Sequence, residues 1–264
     1  MATALRQVTP ARGGRYYELA DGTRYPSVTS ILQVIGKPAL INWAANVERT
    51  MVTEAAANLY ADLPLDAPRM NRLAFLATLA SRVGQEKAHE KAKVKAGEIG
   101  SEAHARVEWE IRTQLGQKAG PEPMVQGPAL WAFMAFQDWW KEAGLRPVFL
   151  EQSIYSQQYG YAGTMDLLAK DPKGELVIVD FKTSKAIYPE AYLQTAAYAQ
   201  AVNEMGHGPV GNGIIVRLPK AESDPGFEAK PIVDLFSHFT TFLNAFELWK
   251  WQQEQDALWR ESKA

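Results

Sequence analysis

"GTMDLLAKDPKGELVIVDFKTSK", residues 163–185, sets Asp166, Asp180 and Lys182 among apolar residues on either side of a polar turn. At its centre Asp171 occupies the first position of a type I turn, Pro172 the second, and Gly174 the place where a left-handed residue forms a bulge. This signature predicts a hairpin whose loop is Pro172, Lys173 and Gly174, with Asp171 facing Glu175. Counting back along both strands then sets Asp166 opposite Asp180. Opposed residues have Cβ atoms roughly 4.5–5.5 Å apart, and like charges there destabilise a sheet. Strand alternation puts Lys182 on the same face and turns Phe181 the other way with Val177 and Val179.

Carboxylates removed from water beside an apolar strand need partners, and one lysine does not neutralise two of them. A divalent cation completes the balance. Hard oxygen ligands with vacant positions suit Mg²⁺ or Mn²⁺, which keep waters and fill their coordination with phosphate oxygens. The pattern therefore points to phosphodiester chemistry, with the lysine orienting a nucleophile or stabilising charge in the transition state. The plain alternative is a surface ion bridge between Asp180 and Lys182 with Asp166 solvated; spacing alone leaves both open.

Outward from this hairpin, short strands are expected at residues 148–155, 160–170 and 175–183, forming an antiparallel meander, with a helix over 189–204 and a strand over 210–218. Phe236, Phe239, Leu243, Phe246 and Trp249 mark a long amphipathic C-terminal helix. Upstream, "RYYELADGTRY" (15–25) alternates about Asp21-Gly22 and predicts a hairpin; "VTSILQVIG" (28–36) follows as a short helix with Ser27 as N-cap and Gly36 as its stop. Residues 38–115 read as two or three long helices interrupted at "LPLDAP" (63–68). On the last of these Lys87, Lys91 and Lys95 share one face, either solvated or in contact with phosphate, and Gly97 and Gly100 suggest close backbone approach or a helix start near His104. The aromatic stripe of "ALWAFMAFQDWWKEAG" (129–144) is read as core.

The whole is expected to be one α/β domain: a mostly helical N-terminal elaboration over residues 1–100, a core over 101–220 and a C-terminal helix over 221–264. Composition fits an ordinary globular chain, with 47% hydrophobic and 22% charged residues and a formal charge of −2 that advertises no polyanionic partner, though a local basic groove remains open. No cysteine is present, which excludes disulfides, thiolate zinc sites and iron–sulfur clusters. No apolar run approaches the roughly 18 residues of a membrane span and the first residues lack a secretory pattern, so a cytoplasmic location is expected. No GxxxxGK[ST] motif is present, so no ATP-driven step is expected of this chain.

"GTMD" (163–166) followed by "IVDFKTSK" (178–185) resembles the paired motifs of the PD-(D/E)xK nuclease superfamily, in particular its RecB-type branch. Glu151 on the preceding strand, His104 within "GEIGSEAH", and "QTAAY" (194–198) on the following helix stand in that family's order. The resemblance implies a restriction-endonuclease-like core, with a mixed central sheet flanked by helices. It implies that His104, Asp166 and Asp180 ligate the metal, with the Phe181 backbone carbonyl beside them. It also implies that Lys182 is catalytic and that Glu151 supports the site. Gln194 and Tyr198 would contact nucleic acid, or Tyr198 would pack on the sheet. "YPSVTSIL" (25–32) is similar to the entry segment of such nucleases, implicating Ser27 near DNA, and Lys185 extends a basic groove. Without cysteine, a cluster-free nuclease of phage or prophage type is the nearest fit.

Together these imply a Mg²⁺- or Mn²⁺-dependent deoxyribonuclease with DNA as partner, acting at ends in recombination, repair or phage DNA processing, in company with a single-strand-binding or recombination protein. A structure-specific or restriction-like endonuclease and a non-catalytic DNA-binding module are the alternatives.

Overall fold

A computed structural model of the chain describes residues 5–10, 14–62, 72–84 and 87–263; the break expected at 63–68 lies outside them. The chain divides into two compact units, Gly36–Glu98 and a second formed by the residues up to Ile35 with those from Ile99 onward.

The second unit opens with β1 (Arg6–Val8), β2 (Tyr16–Glu18) and β3 (Arg24–Pro26) in a small antiparallel sheet. The β2–β3 connection turns at Asp21-Gly22 as its sequence dictates: Gly22 takes φ 85°, and Asp21 Oδ1 accepts the Thr23 N–H at 2.9 Å. Ser27 then caps α1 (Val28–Ile31) by accepting the Ser30 N–H at 3.0 Å. A 3₁₀ turn over Leu32–Val34 ends the segment at an extended Ile35, one residue before the expected glycine stop.

The main sheet is mixed and five-stranded: β4 (Arg146–Ser156), β5 (Tyr161–Lys170), β6 (Leu176–Thr183), β7 (Val210–Leu218) and β8 (Glu228–Ile232), in that spatial order. β4, β5 and β6 form the expected antiparallel meander. β6 and β7 are parallel, joined by the crossover helix α6 (Pro189–Glu204). Lys170 pairs with Leu176 and Leu167 with Val179, and the Asp171 N–H donates to the Glu175 carbonyl at 2.9 Å, so the register counted from the turn holds. Gly174 takes φ 89°, closing the loop as a bulge.

Two cores sandwich this sheet. On one face Val177, Val179 and Phe181 bury against Ala103, Val107 and Ile111 of α4 (Ala88–Gln114) and Phe133, Phe136 and Trp139 of α5 (Pro128–Ala143), which confirms the aromatic stripe as core. On the other, Ile154, Met165, Leu168 and Ile178 meet α1, the alanine-rich face of α6, and Phe239, Phe242 and Phe246 of α7 (Leu235–Glu261). β8 was not expected. It is an edge strand whose Glu, Lys and Pro are residues that edges tolerate and strand signals lack, so the segment after residue 221 is a strand and a helix rather than a helix alone.

The Gly36–Glu98 unit is helical: α2 (Pro38–Ala61), α3 (Arg72–Val83) and the first turns of α4. Among its described residues only Leu59 falls in the buried core, and ion pairs bind it as well, Arg82–Asp62 at 2.8 Å and His89–Glu48 at 2.7 Å. Its limits differ from the helical stretch expected over 1–100, because the strands and capped helix before residue 36 carry apolar residues that pack with the main sheet. Lys87, Lys91 and Lys95 are exposed. Among the described residues no helix is long and apolar enough to cross a membrane.

Candidate active site

The site forms where β5 and β6 part. Their last ladder pair is Leu167 with Val179, and one step beyond, Asp166 Oδ2 accepts the Phe181 N–H at 2.7 Å. A side-chain carboxylate thus takes over from a backbone carbonyl. On β4 the pairs Leu150–Leu167 and Gln152–Met165 bracket Glu151 and Asp166, so the two hold opposed positions. Glu151 has φ 49°, the single positive φ outside glycine among the described residues. Holding a glutamate in left-handed backbone costs about 1–2 kcal/mol.

α4 brings His104 to these carboxylates. Its Nδ1 lies 3.8 Å from Asp166 Oδ1 and 3.9 Å from Glu151 Oε1, and one donor atom from each of the three residues falls within 4.8 Å of the others. Burial alone would lower the His104 pKa, but the Asp166 and Glu151 carboxylates outweigh it and raise it to about 9. A proton on His104 balances there the charge that a cation would balance. Gly100, one turn earlier, permits the approach of α4 to β6, since an added Cβ would stand 3.0 Å from Thr183 Oγ1. An added Cβ at Gly97 meets nothing within 4 Å, and α4 starts at Ala88 rather than near His104.

Beside this trio lies an ion pair. Asp180 is 1% exposed, and Lys182 Nζ donates to its Oδ1 at 2.9 Å. Oδ2 sits 2.7 Å from the same nitrogen, off the hydrogen-bonding direction, and has no hydrogen-bond partner. From α6, Gln194 Oε1 accepts from Lys182 Nζ at 3.2 Å, while its Nε2 donates to Asp180 Oδ1 at 3.0 Å and to the Tyr198 hydroxyl at 3.3 Å. Burial pushes the Asp180 carboxyl up to about 6 against the pull of Lys182, and burial likewise raises Asp166. Lys182 resists the downward push of burial because Asp180 and Asp166 hold its charge, so its pKa is raised. The Tyr198 hydroxyl is pushed well above its ordinary value, by burial first and by Asp180 next. Its ring lies on Gly163, where an added Cβ would stand 2.4 Å from Cε1; the glycine of "GTMD" is there because tyrosine fills its place.

The sequence matches the PD-(D/E)XK nuclease superfamily over residues 45–262. The chain belongs to that superfamily. Among solved structures it is similar to SSO0001, at 14% identity and a TM-score of 0.29 over 47% of this chain and 60% of that one. It is also similar to the alkaline exonuclease LHK-Exo of Laribacter hongkongensis, at 12% identity and a TM-score of 0.29 over 66% of this chain and 88% of that one. No curated protein matches.

PD-(D/E)XK nucleases use divalent metals, and the residues here fit one: two carboxylates and an imidazole converge, and the buried Asp180 Oδ2 nearby has no hydrogen-bond partner. The placement differs from the expected ligand set in one exchange. Glu151, expected to support the site, stands in the converging trio, whereas Asp180, expected beside His104 and Asp166, is engaged by Lys182 and Gln194. Phe181 lines the same cleft, its N–H held by Asp166 and its ring in the core against Phe136 and Trp139. Lys185 is exposed.

The residues expected to touch nucleic acid are placed as follows. Gln194 and Tyr198 border the cleft, but the Gln194 amide is turned to Lys182 and Asp180, and the Tyr198 hydroxyl to Gln194. Ser27 is 2% exposed, and its hydroxyl is taken up by the cap and by Ser30 Oγ at 2.8 Å, so it has no free group to offer DNA. The cleft, about 390 Å³, is also lined by Gln7, Arg15 and Thr29 on the side of the small sheet and by Thr164 of β5. Sequence reasoning missed these four. Of these only Arg15 belongs to the alternating stretch of the first hairpin, and alternation says that a strand exists but not which wall of the cleft it completes.

Proposed function

We propose that this PD-(D/E)XK chain is a divalent-metal-dependent deoxyribonuclease that hydrolyses phosphodiester bonds at DNA ends, serving recombination, repair or phage DNA processing. The observation that carries the chemistry is the convergence of His104, Glu151 and Asp166 beside an ion-paired Lys182 in one cleft. The motif resemblance to phage exonucleases supports the preference for ends, and DNA is the partner this requires.

His104, Glu151 and Asp166 would hold the cation, with Asp180 beside them in an ion pair with Lys182. When bound, Mg²⁺ or Mn²⁺ supplies Lewis acidity toward the phosphate and lowers the pKa of water. Lys182, kept protonated by Asp180 and Asp166, is a charge donor to a phosphate oxygen rather than a base. Gln194 fixes the ammonium between two acceptors so that it is aimed before substrate arrives. Tyr198, pushed toward its neutral form, adds no competing negative charge.

The test compares wild type with Lys182→Ala on end-labelled linear and closed circular DNA in Mg²⁺, Mn²⁺ or EDTA. Wild type should degrade linear DNA only with metal, and the variant should be slower by about 10²–10³-fold. Cleavage of the closed circle would make the protein an endonuclease. Binding without cleavage in any metal would leave a DNA-binding module.

A further inference from the structure

We propose that Arg15 is a phosphate-binding residue of the cleft, its guanidinium holding a backbone phosphate of the substrate strand next to the one being cleaved. The inference rests on the nuclease reading and adds a substrate contact to it.

Arg15 borders the same cleft as His104, Asp166 and Lys182. Its backbone is fixed there with unusual care. The Arg15 carbonyl accepts both the Ser27 N–H at 3.0 Å and the Ser30 hydroxyl at 3.1 Å, and the two serine hydroxyls are bonded to each other at 2.8 Å. Both serines are buried, at 2% and 3% exposure. The residue before Arg15 must be small, because a Cβ on Gly14 would stand 2.6 Å from Ser30 Oγ. The "PSVTS" segment thus brackets one residue rather than reaching for nucleic acid itself.

The side chain so positioned is exposed and, among the described residues, joins no ion pair or hydrogen bond. Its neighbours on the small sheet behave differently: Arg6 and Arg24 both pair with Glu18, at 3.0 and 2.8 Å. Glu151 and Asp166 border the same cleft, yet neither pairs with Arg15. An anchored, unneutralised guanidinium beside a phosphodiester-cleaving site has one evident ligand class, because its planar fork matches two phosphate oxygens.

The experiment uses Arg15→Ala and Arg15→Lys of the full chain. Steady-state cleavage of linear DNA gives KM and kcat; in a Lys182→Ala background, Kd for a short duplex is followed against NaCl concentration. Arg15→Ala should raise KM and Kd about tenfold with kcat within about threefold, and should flatten the log Kd against log salt slope by about 1. Arg15→Lys should recover the slope and part of the affinity. The thermal melt should not move, because only the backbone of Arg15 is bonded. Unchanged KM and slope, or a fall in kcat alone, would overturn the assignment. If wild type cleaves no DNA the nuclease reading fails by itself, and the slope in the Lys182→Ala pair still decides for or against Arg15.

Discussion

On one face of β6, Val177, Val179 and Phe181 meet the aromatic rings of α5 and are buried in a mainly apolar setting. On the other, Ile178 begins the same way, but a buried Asp180 and a half-buried Lys182 follow beside α6. Strand alternation treats both faces alike, so the difference comes from what each helix presents. α5 offers Phe136 and Trp139. α6 offers a run of alanines broken by Gln194, whose amide reaches the ion pair, and by Tyr198, whose hydroxyl accepts from that amide. The apolar face packs rings into the core, whereas the ionic face holds a carboxylate whose charge burial disfavours. Asp180 makes this concrete. Its folded carboxyl binds a proton more tightly, at about 6, than the ordinary 3.8, so its contribution to stability falls as pH rises between those values and stays low above them.

The comparison is broken most forcefully from the apolar side. Phe181→Ala should cost about 3–5 kcal/mol in urea unfolding, since it empties the space between Phe136, Trp139 and His104. A cost near 1 kcal/mol would mean that this face is not the structural one. Gly163→Ala comes next, at about 1–3 kcal/mol, because Tyr198 must leave its seat. The same substitution in a Tyr198→Leu background should be nearly neutral, and a double-mutant cycle reads the coupling. The smallest effect on stability belongs to the ionic side. Asp180→Asn with Lys182→Met should unfold in EDTA within about 1 kcal/mol of wild type or above it, while cleavage assayed with metal is abolished. A loss comparable to that of Phe181→Ala would show that the pair is structural after all.

What the sequence disclosed followed from local chemistry. The Asp-Pro-Lys-Gly turn fixed the β5–β6 register, and from it the positions of Asp166, Asp180 and Lys182; Pro189 announced α6, and the Asp21-Gly22 pair the first hairpin. What it withheld depended on tertiary context. Nothing in "FLEQS" signals that Glu151 adopts left-handed backbone and so enters the trio with His104. Gln194 carries a polar side chain at a helix position equally suited to face DNA or a half-buried lysine, and only the packing of α6 on β6 decides for the lysine. Ser27 was legible as a cap but not as a buried one. β8 escaped because edge strands are written in the same residues as loops.

Asp166 carries a divided allegiance. With Oδ2 committed to the Phe181 N–H, a single oxygen, Oδ1, faces His104. The residue is at once a member of the site and the clasp that closes the fork between two strands. An inactive Asp166 variant would therefore suffer two injuries, one to chemistry and one to architecture, and its silence in an assay would be ambiguous. Glu151 and Lys182, which close no strand, are the cleaner witnesses to what this cleft does.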